Sequence, residues 1–194
     1  MNGSFQEMRR QNNMKVTFDG RYFLVEEATN KDVIFTNFAG AEKRDRNTGE
    51  LRNRKGEHNF NLRIEGFEDV FADAGVDIKS YKFKDDPEDK PPIKFVYVNI
   101  NTKSRKPPVV YLKKNNGRLE ELPMESWGLL DGPFSEASFV INPWRNTKGR
   151  TSLYMNTAEA KISVDPIREK AEEQMANESV DPNGPNKDEG MPFD

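Results

Sequence analysis

The chain has no cysteine and a single histidine, His58. Without thiols there is no disulfide, no thiolate metal site and no cysteine nucleophile, and one imidazole does not make a histidine-based zinc set. No apolar run approaches the roughly 20 residues of a membrane helix. The opening MNGSFQEMRRQNN is too polar for the hydrophobic part of a signal peptide. Gly-rich phosphate loops and Ser-centred nucleophile elbows are missing, and so is the self-similarity of a repeat array. The expectation is a soluble cytoplasmic protein with no catalytic residue, no cofactor and no metal. Apolar residues are also scarce: 34% of the 194 residues are hydrophobic against 32% charged, so part of the chain is expected to lack a core of its own.

Charge is unevenly spread. Residues 165–194 hold nine acids and three bases, which leaves 27 bases and 24 acids in residues 1–164. A mildly basic body is therefore followed by an acidic tail. Three regions are expected: a flexible N-terminal segment at 1–13, one folded domain at 14–164, and a largely disordered tail at 165–194, apart from a marginal helix near 167–176.

Within the body, residues 14–18 and 22–25 read as strands around the turn dipeptide Asp19-Gly20, and 33–38 as a clearer strand rich in β-formers. Residues 40–56, GAEKRDRNTGELRNRKG, have neither a helical nor a strand period but six cations. Because strands flank this segment, it reads as a basic β-hairpin arm with Asn47-Thr48-Gly49 at its apex, able to close over a bound strand. Residues 58–64 alternate, with Phe60, Leu62 and Ile64 on one face and Asn59, Asn61 and Arg63 on a polar face available to a ligand. Residues 66–75 predict a short helix with Phe67, Val70, Phe71 and Ala74 along one stripe. Residues 76–83 read as a strand. Residues 93–100 read as a central strand with Lys94, Val96 and Val98 facing away from the core. A second basic loop, NTKSRKPP at 101–108, leads to a strand at 109–113, while 119–122 are too short to assign. Residues 124–132 predict a helical turn that sets Trp127, Leu129 and Leu130 against the core.

Residues 136–164 read as two alternating strands joined by a basic turn at 145–150. In the first arm Ala137, Phe139 and Ile141 share one face, and Ser138, Asn142 and Trp144 the other. In the second arm Leu153 and Met155 oppose Tyr154, yet Ala158, Ala160, Ile162 and Val164 continue in Tyr154's parity. Either Tyr154 is buried or a bulge near Thr157 flips the strand.

Many strands, one or two short helices and long loops favour a mainly β fold. An OB-type β-barrel with extended basic hairpin arms is the first expectation and a β-sandwich the second. Rings beside cationic loops are what unpaired nucleic acid needs, bases stacking on the rings and phosphates meeting the cations. The stacking candidates are Tyr97, Tyr111, Trp144 and Tyr154. The phosphate candidates are Arg44, Arg46, Arg52, Arg54, Lys55, Lys103, Arg105, Lys106, Arg145, Lys148 and Arg150. Carboxylates such as Asp85, Asp86, Glu88 and Asp89 have the chemistry to hold Mg²⁺ for a nuclease, but they lie in a Pro-rich loop without a rigid frame.

The tail ends in DEGMPFD, where Met191, Pro192 and Phe193 sit beside Asp188, Glu189 and Asp194. A basic β domain followed by an acidic tail ending in Pro-Phe resembles the single-stranded DNA-binding proteins of bacteria, and especially those encoded by phages. The resemblance implies that the chain coats single-stranded DNA during replication, recombination or repair. It also implies that residues 188–194 recruit replication or recombination proteins. The tip departs from the bacterial pattern in one respect: there the Phe is terminal and its carboxylate is part of the recognised group, whereas here Asp194 follows Phe193. The resemblance further implies that the acidic tail competes with DNA for the cationic groove. The alternatives are a strand-annealing recombination protein, an RNA-binding module, a virion component or a metal-dependent nuclease.

Overall fold

A computed structural model describes residues 13–46 and 48–162. The N-terminal lead-in, Asn47 at the arm's apex, and the acidic tail with the helix expected in it and its Pro-Phe tip lie outside the described residues.

The protein is mainly β. Its strands are β1 (Lys15–Phe18), β2 (Phe23–Ala28), β3 (Val33–Asn37), β4 (Lys43–Arg44), β5 (Leu51–Asn53), β6 (His58–Arg63), β7 (Lys79–Tyr81), β8 (Ile93–Ile100), β9 (Val109–Lys113), β10 (Leu119–Glu121), β11 (Phe134–Arg145) and β12 (Thr151–Ile162). A short helix α1 (Glu68–Asp73) follows β6, and a 3₁₀-helix (Met124–Asp131) precedes β11. One sheet runs β1-β2-β11-β12-β8-β6-β3, and its ladder does not close on itself among the described residues; β4 and β5 pair separately as the predicted arm.

The two longest strands, β11 and β12, form the spine. Ala137, Phe139 and Ile141 are buried together with Leu153, Met155, Ala158 and Ala160, as the alternation predicts. The parity conflict in β12 is resolved by a bulge. Val140 pairs with Thr157 and the next residue, Ile141, with Met155, so Asn156 has no cross-strand partner. That extra residue turns Leu153 and Met155 to the core on one side of it and Ala158 and Ala160 on the other.

β12 also decides where the second basic loop goes. Its first half pairs in parallel with β8, Leu153 with Val98 and Tyr154 with Asn99. Its second half pairs in parallel with β9, from Thr157 opposite Val109 to Ala160 opposite Leu112. Both partners lie along one edge of β12, so the 101–108 loop that joins them is held beside the bulge.

Four expectations are corrected. In β8 the faces are the reverse of those predicted: Val96, Val98 and Ile100 are buried in the core, because β6 sets Phe60 against Val98 and Leu62 against Val96. Tyr97 and Asn99 therefore look outward. Asn59 and Asn61 are not freely available, being 2% and 8% exposed. Their strand is flanked by β3 and β8, and the arm's Asn53 Oδ1 accepts a hydrogen bond from the Asn59 amide at 3.1 Å. In the 3₁₀-helix Trp127 and Leu130 are buried as predicted but Leu129 is exposed. The Trp127 indole N–H donates to the Leu122 carbonyl at 2.9 Å, which satisfies its one polar atom. The strand expected at 76–83 shortens to Lys79–Tyr81, with Val76 making only a bridge to Thr151.

Candidate nucleic-acid interface

Register alone collects one set of outward side chains. On β11 and β12, Asn142 pairs with Tyr154 and Trp144 with Ser152. Tyr154 pairs with Asn99 on β8, and Asn99 with Asn59 and Tyr97 with Asn61 on β6. Since alternate residues share a face, Trp144, Asn142, Tyr154, Asn99 and Tyr97 all stand on the side of the sheet opposite the core. Trp144 is 55% exposed, unusual for so large an apolar surface.

At one end of this face is a cleft of about 810 Å³. It brings together four of the predicted residues, Arg105, Lys106, Trp144 and Tyr154, with Asn142 between them. Arg21 and Tyr22 close it from the far side, because β2 pairs with β11 and sets Phe23 opposite Ile141. The Arg21 guanidinium lies over the Tyr22 ring at 4.9 Å, a cation–π contact between two residues of the cleft wall. No carboxylate among the described residues lines the cleft. Arg21, Arg105 and Lys106 form no ion pair among the described residues, unlike Lys113 and Lys114 nearby in sequence, which meet Glu136 and Glu120.

Sequence reasoning missed Arg21 and Tyr22. The available signal was their position directly after Asp19-Gly20. Asp19 Oδ1 accepts from the backbone N–H groups of Arg21 at 2.8 Å and Tyr22 at 2.6 Å, which fixes the turn that presents them. Those two donors hold the Asp19 carboxyl below its ordinary range.

The other predicted residues are distributed more widely. Arg145, Lys148 and Arg150 surround the turn after Trp144 and are exposed; Asn146 Oδ1 accepts from the Lys148 and Arg150 N–H groups and braces that turn. Lys103 is exposed on the 101–108 loop but does not line the cleft. Tyr111 is not part of the constellation: β9 pairs with the far half of β12, where Tyr111 faces Glu159 and Glu121 in register. In the arm, Arg44 is partnered by Glu42 at 2.8 Å and Arg52 by Asp45 at 2.7 Å. Arg46, Arg54 and Lys55 are exposed and form no ion pair among the described residues.

Tyr97 lies nearer the arm. Burial, helped by the negative charge of Glu57, pushes its phenol above the ordinary tyrosine range, while a hydrogen bond from the Asn59 side chain pulls the other way. The neutral phenol is thus favoured in the folded state. The stability this contributes is complete below about pH 10, the unfolded value, and is lost as pH rises through Tyr97's own higher value. In alkaline unfolding titrations Tyr97→Phe is expected to lose less stability than the parent above about pH 10. Superimposable alkaline profiles would refute the assignment.

Searches against protein-family models, curated proteins and solved structures return no match to this chain.

Proposed function

We propose that this chain binds and protects single-stranded DNA without catalysis, with little sequence preference, by stacking bases on rings of an open sheet face and holding phosphates with the flanking cations. The sheet is read as an OB-type barrel whose arm and loops border the groove. The observation that carries the proposal is the cleft, free of carboxylates among the described residues, in which Arg105 and Lys106 stand beside Trp144 and Tyr154. Rings and unpaired cations along one groove are the combination that sequence-tolerant single-strand binding requires. The likeness of the chain's organisation to phage and bacterial single-stranded DNA-binding proteins supports the same reading. It extends it to replication, recombination or repair in the cytoplasm of a bacterial host, with the acidic tail competing for the groove and recruiting partner proteins.

The test is a fluorescence titration with poly-dT, duplex DNA and RNA at two salt concentrations. Poly-dT is expected to bind most tightly, to quench the exposed Trp144 while sparing the buried Trp127, and to weaken as salt rises. Removing residues 178–194 is expected to tighten binding at low salt only. Equal affinity for duplex would contradict the proposal, and tighter binding of RNA would move it to an RNA-binding module. Accelerated pairing of complementary strands would identify the annealing alternative.

A further inference from the structure

The outward face continues past Tyr97 to a second group of rings. Phe35 on β3 is 47% exposed and meets Tyr81 edge-on at 5.5 Å and Phe95 at 6.3 Å between ring centroids. Phe95 lies on β8, which β6 separates from β3, and Tyr81 lies on β7, which pairs with β8. Register places Tyr81 and Lys79 on the face of Phe95, since Lys79 pairs with Phe95 and Tyr81 with Ile93. The Lys79 ammonium sits over the Tyr97 ring at 5.3 Å and has no ion pair among the described residues.

Two features of this group are costly to the fold alone. Phe35 has φ of +49°, a left-handed conformation that a bulky side chain rarely adopts and that is retained where surrounding structure enforces it, often at functional sites. The strain holds a large ring partly in water. Asn61, on the same face of β6, is 8% exposed, and its Oδ1 is buried with no hydrogen-bond partner among the described residues. A buried acceptor left unpaired is unfavourable unless a ligand completes it. Phe35 also lines a cavity of about 400 Å³ with Ile34, Phe83, Ile93, Asp131 and Phe134, a lining that does not include Tyr81, Asn61 or Lys79.

We infer that Phe35, Tyr81, Asn61 and Lys79 form a second base-binding station. Phe35 and Tyr81 contact the face of an unpaired base, the Asn61 amide turns outward so that its Oδ1 accepts a base N–H, and Lys79 meets a phosphate. The inference rests on the single-stranded DNA reading. It gives the strand a direction: it crosses the sheet from the Trp144 cleft on β11 to Phe35 on β3. That is four interstrand steps, about 19 Å at about 4.8 Å each.

Probe length separates the two stations. Oligothymidylates of about 4 and about 16 nucleotides span the range of site sizes for such domains. Phe35→Gly relieves the backbone strain while removing the ring, and Tyr81→Ser truncates an exposed ring. Each is expected to weaken the longer probe by about 5- to 150-fold, the equivalent of 1–3 kcal/mol per stacked base, and to leave Trp144 quenching by the shorter probe unchanged. Asn61→Leu is expected to weaken the longer probe as well as altering the unfolding midpoint; a change in midpoint alone would mark Asn61 as structural. If the parent binds both probes and neither ring variant changes either affinity, the second station is wrong while the single-stranded DNA reading stands. If the parent binds neither probe, both fall.

Discussion

Gly40→Ala is expected to lower the unfolding free energy by about 2–5 kcal/mol, combining left-handed backbone strain with overpacking. Gly40 has φ of +64°, and a Cβ placed there meets the His58 ring at 2.5 Å, nearer than side-chain atoms approach one another. The ring cannot withdraw freely, because His58 Nδ1 is 2.7 Å from the Phe38 carbonyl oxygen. Backbone movement is equally constrained, since the Gly56 N–H donates to the Gly40 carbonyl at 2.7 Å. The buried Asn37 amide donates to the carbonyls of Ala41 at 3.0 Å and Glu57 at 2.7 Å. Asp131 accepts from the N–H groups of Phe38 and Ala39. These contacts converge where the two limbs of the basic arm leave the sheet. Gly20→Ala is the control: its φ is +89° but nothing among the described residues lies within 4 Å of the added methyl, so only the backbone term of about 1–2 kcal/mol applies. Urea unfolding of both variants, and of Gly40→Ala combined with His58→Ala, separates the contributions. The double variant should lose less than the two single losses added. Equal losses at positions 20 and 40 would show that the arm's root is not packed as described.

The division between what was legible and what was not follows from the range of the interactions. Alternation in residues 134–145 is written in adjacent residues, so the buried set Ala137, Phe139 and Ile141 could be read directly. The conflict of parity after Tyr154 left either a buried Tyr154 or a bulge near Thr157, and the structure has the bulge, at Asn156. In β8 both faces are largely apolar, so local pattern did not choose between them; the choice was made by Phe60 and Leu62 on β6, which pair with Val98 and Val96. Asn59 and Asn61 read as solvent-facing because their polarity was visible, whereas their neighbours β3 and β8 and the arm's Asn53 were not. The cleft itself depends on two parallel pairings along one edge of β12, joining segments more than 40 positions apart in sequence. Rings and cations could therefore be named individually, but not sorted into Trp144 and Tyr154 with Arg105 and Lys106 on the one hand and Tyr111 with acidic neighbours on the other. Phe35's left-handed backbone has no signature in a run of β-formers, so the second aromatic group went unread.

The stacking and phosphate roles assigned in the cleft make opposite demands on salt dependence. Trp144→Ala is expected to weaken poly-dT binding by about 5- to 150-fold, from the loss of 1–3 kcal/mol of base stacking. An uncharged ring releases no counterions, so the slope of log K against log salt should stay as in the parent. Arg105→Ala with Lys106→Ala should behave differently. Each phosphate contact on a single strand contributes about 0.7 to that slope, so the pair should flatten it by about 1.4. Their affinity deficit should then be largest at low salt and close as salt rises. Arg44→Ala with Arg52→Ala provides the internal comparison. Those two guanidinium groups already face Glu42 and Asp45, so their neutralisation should change the slope by less than the loop pair does. Exposed ion pairs of this kind are themselves weak, so the comparison tests where the phosphates lie rather than how firmly the arm is folded. Parallel salt lines for the parent and the loop variant would remove Arg105 and Lys106 from the path of the strand. A Trp144 variant that flattened the slope would mean that the ring acts by positioning cations and not by stacking.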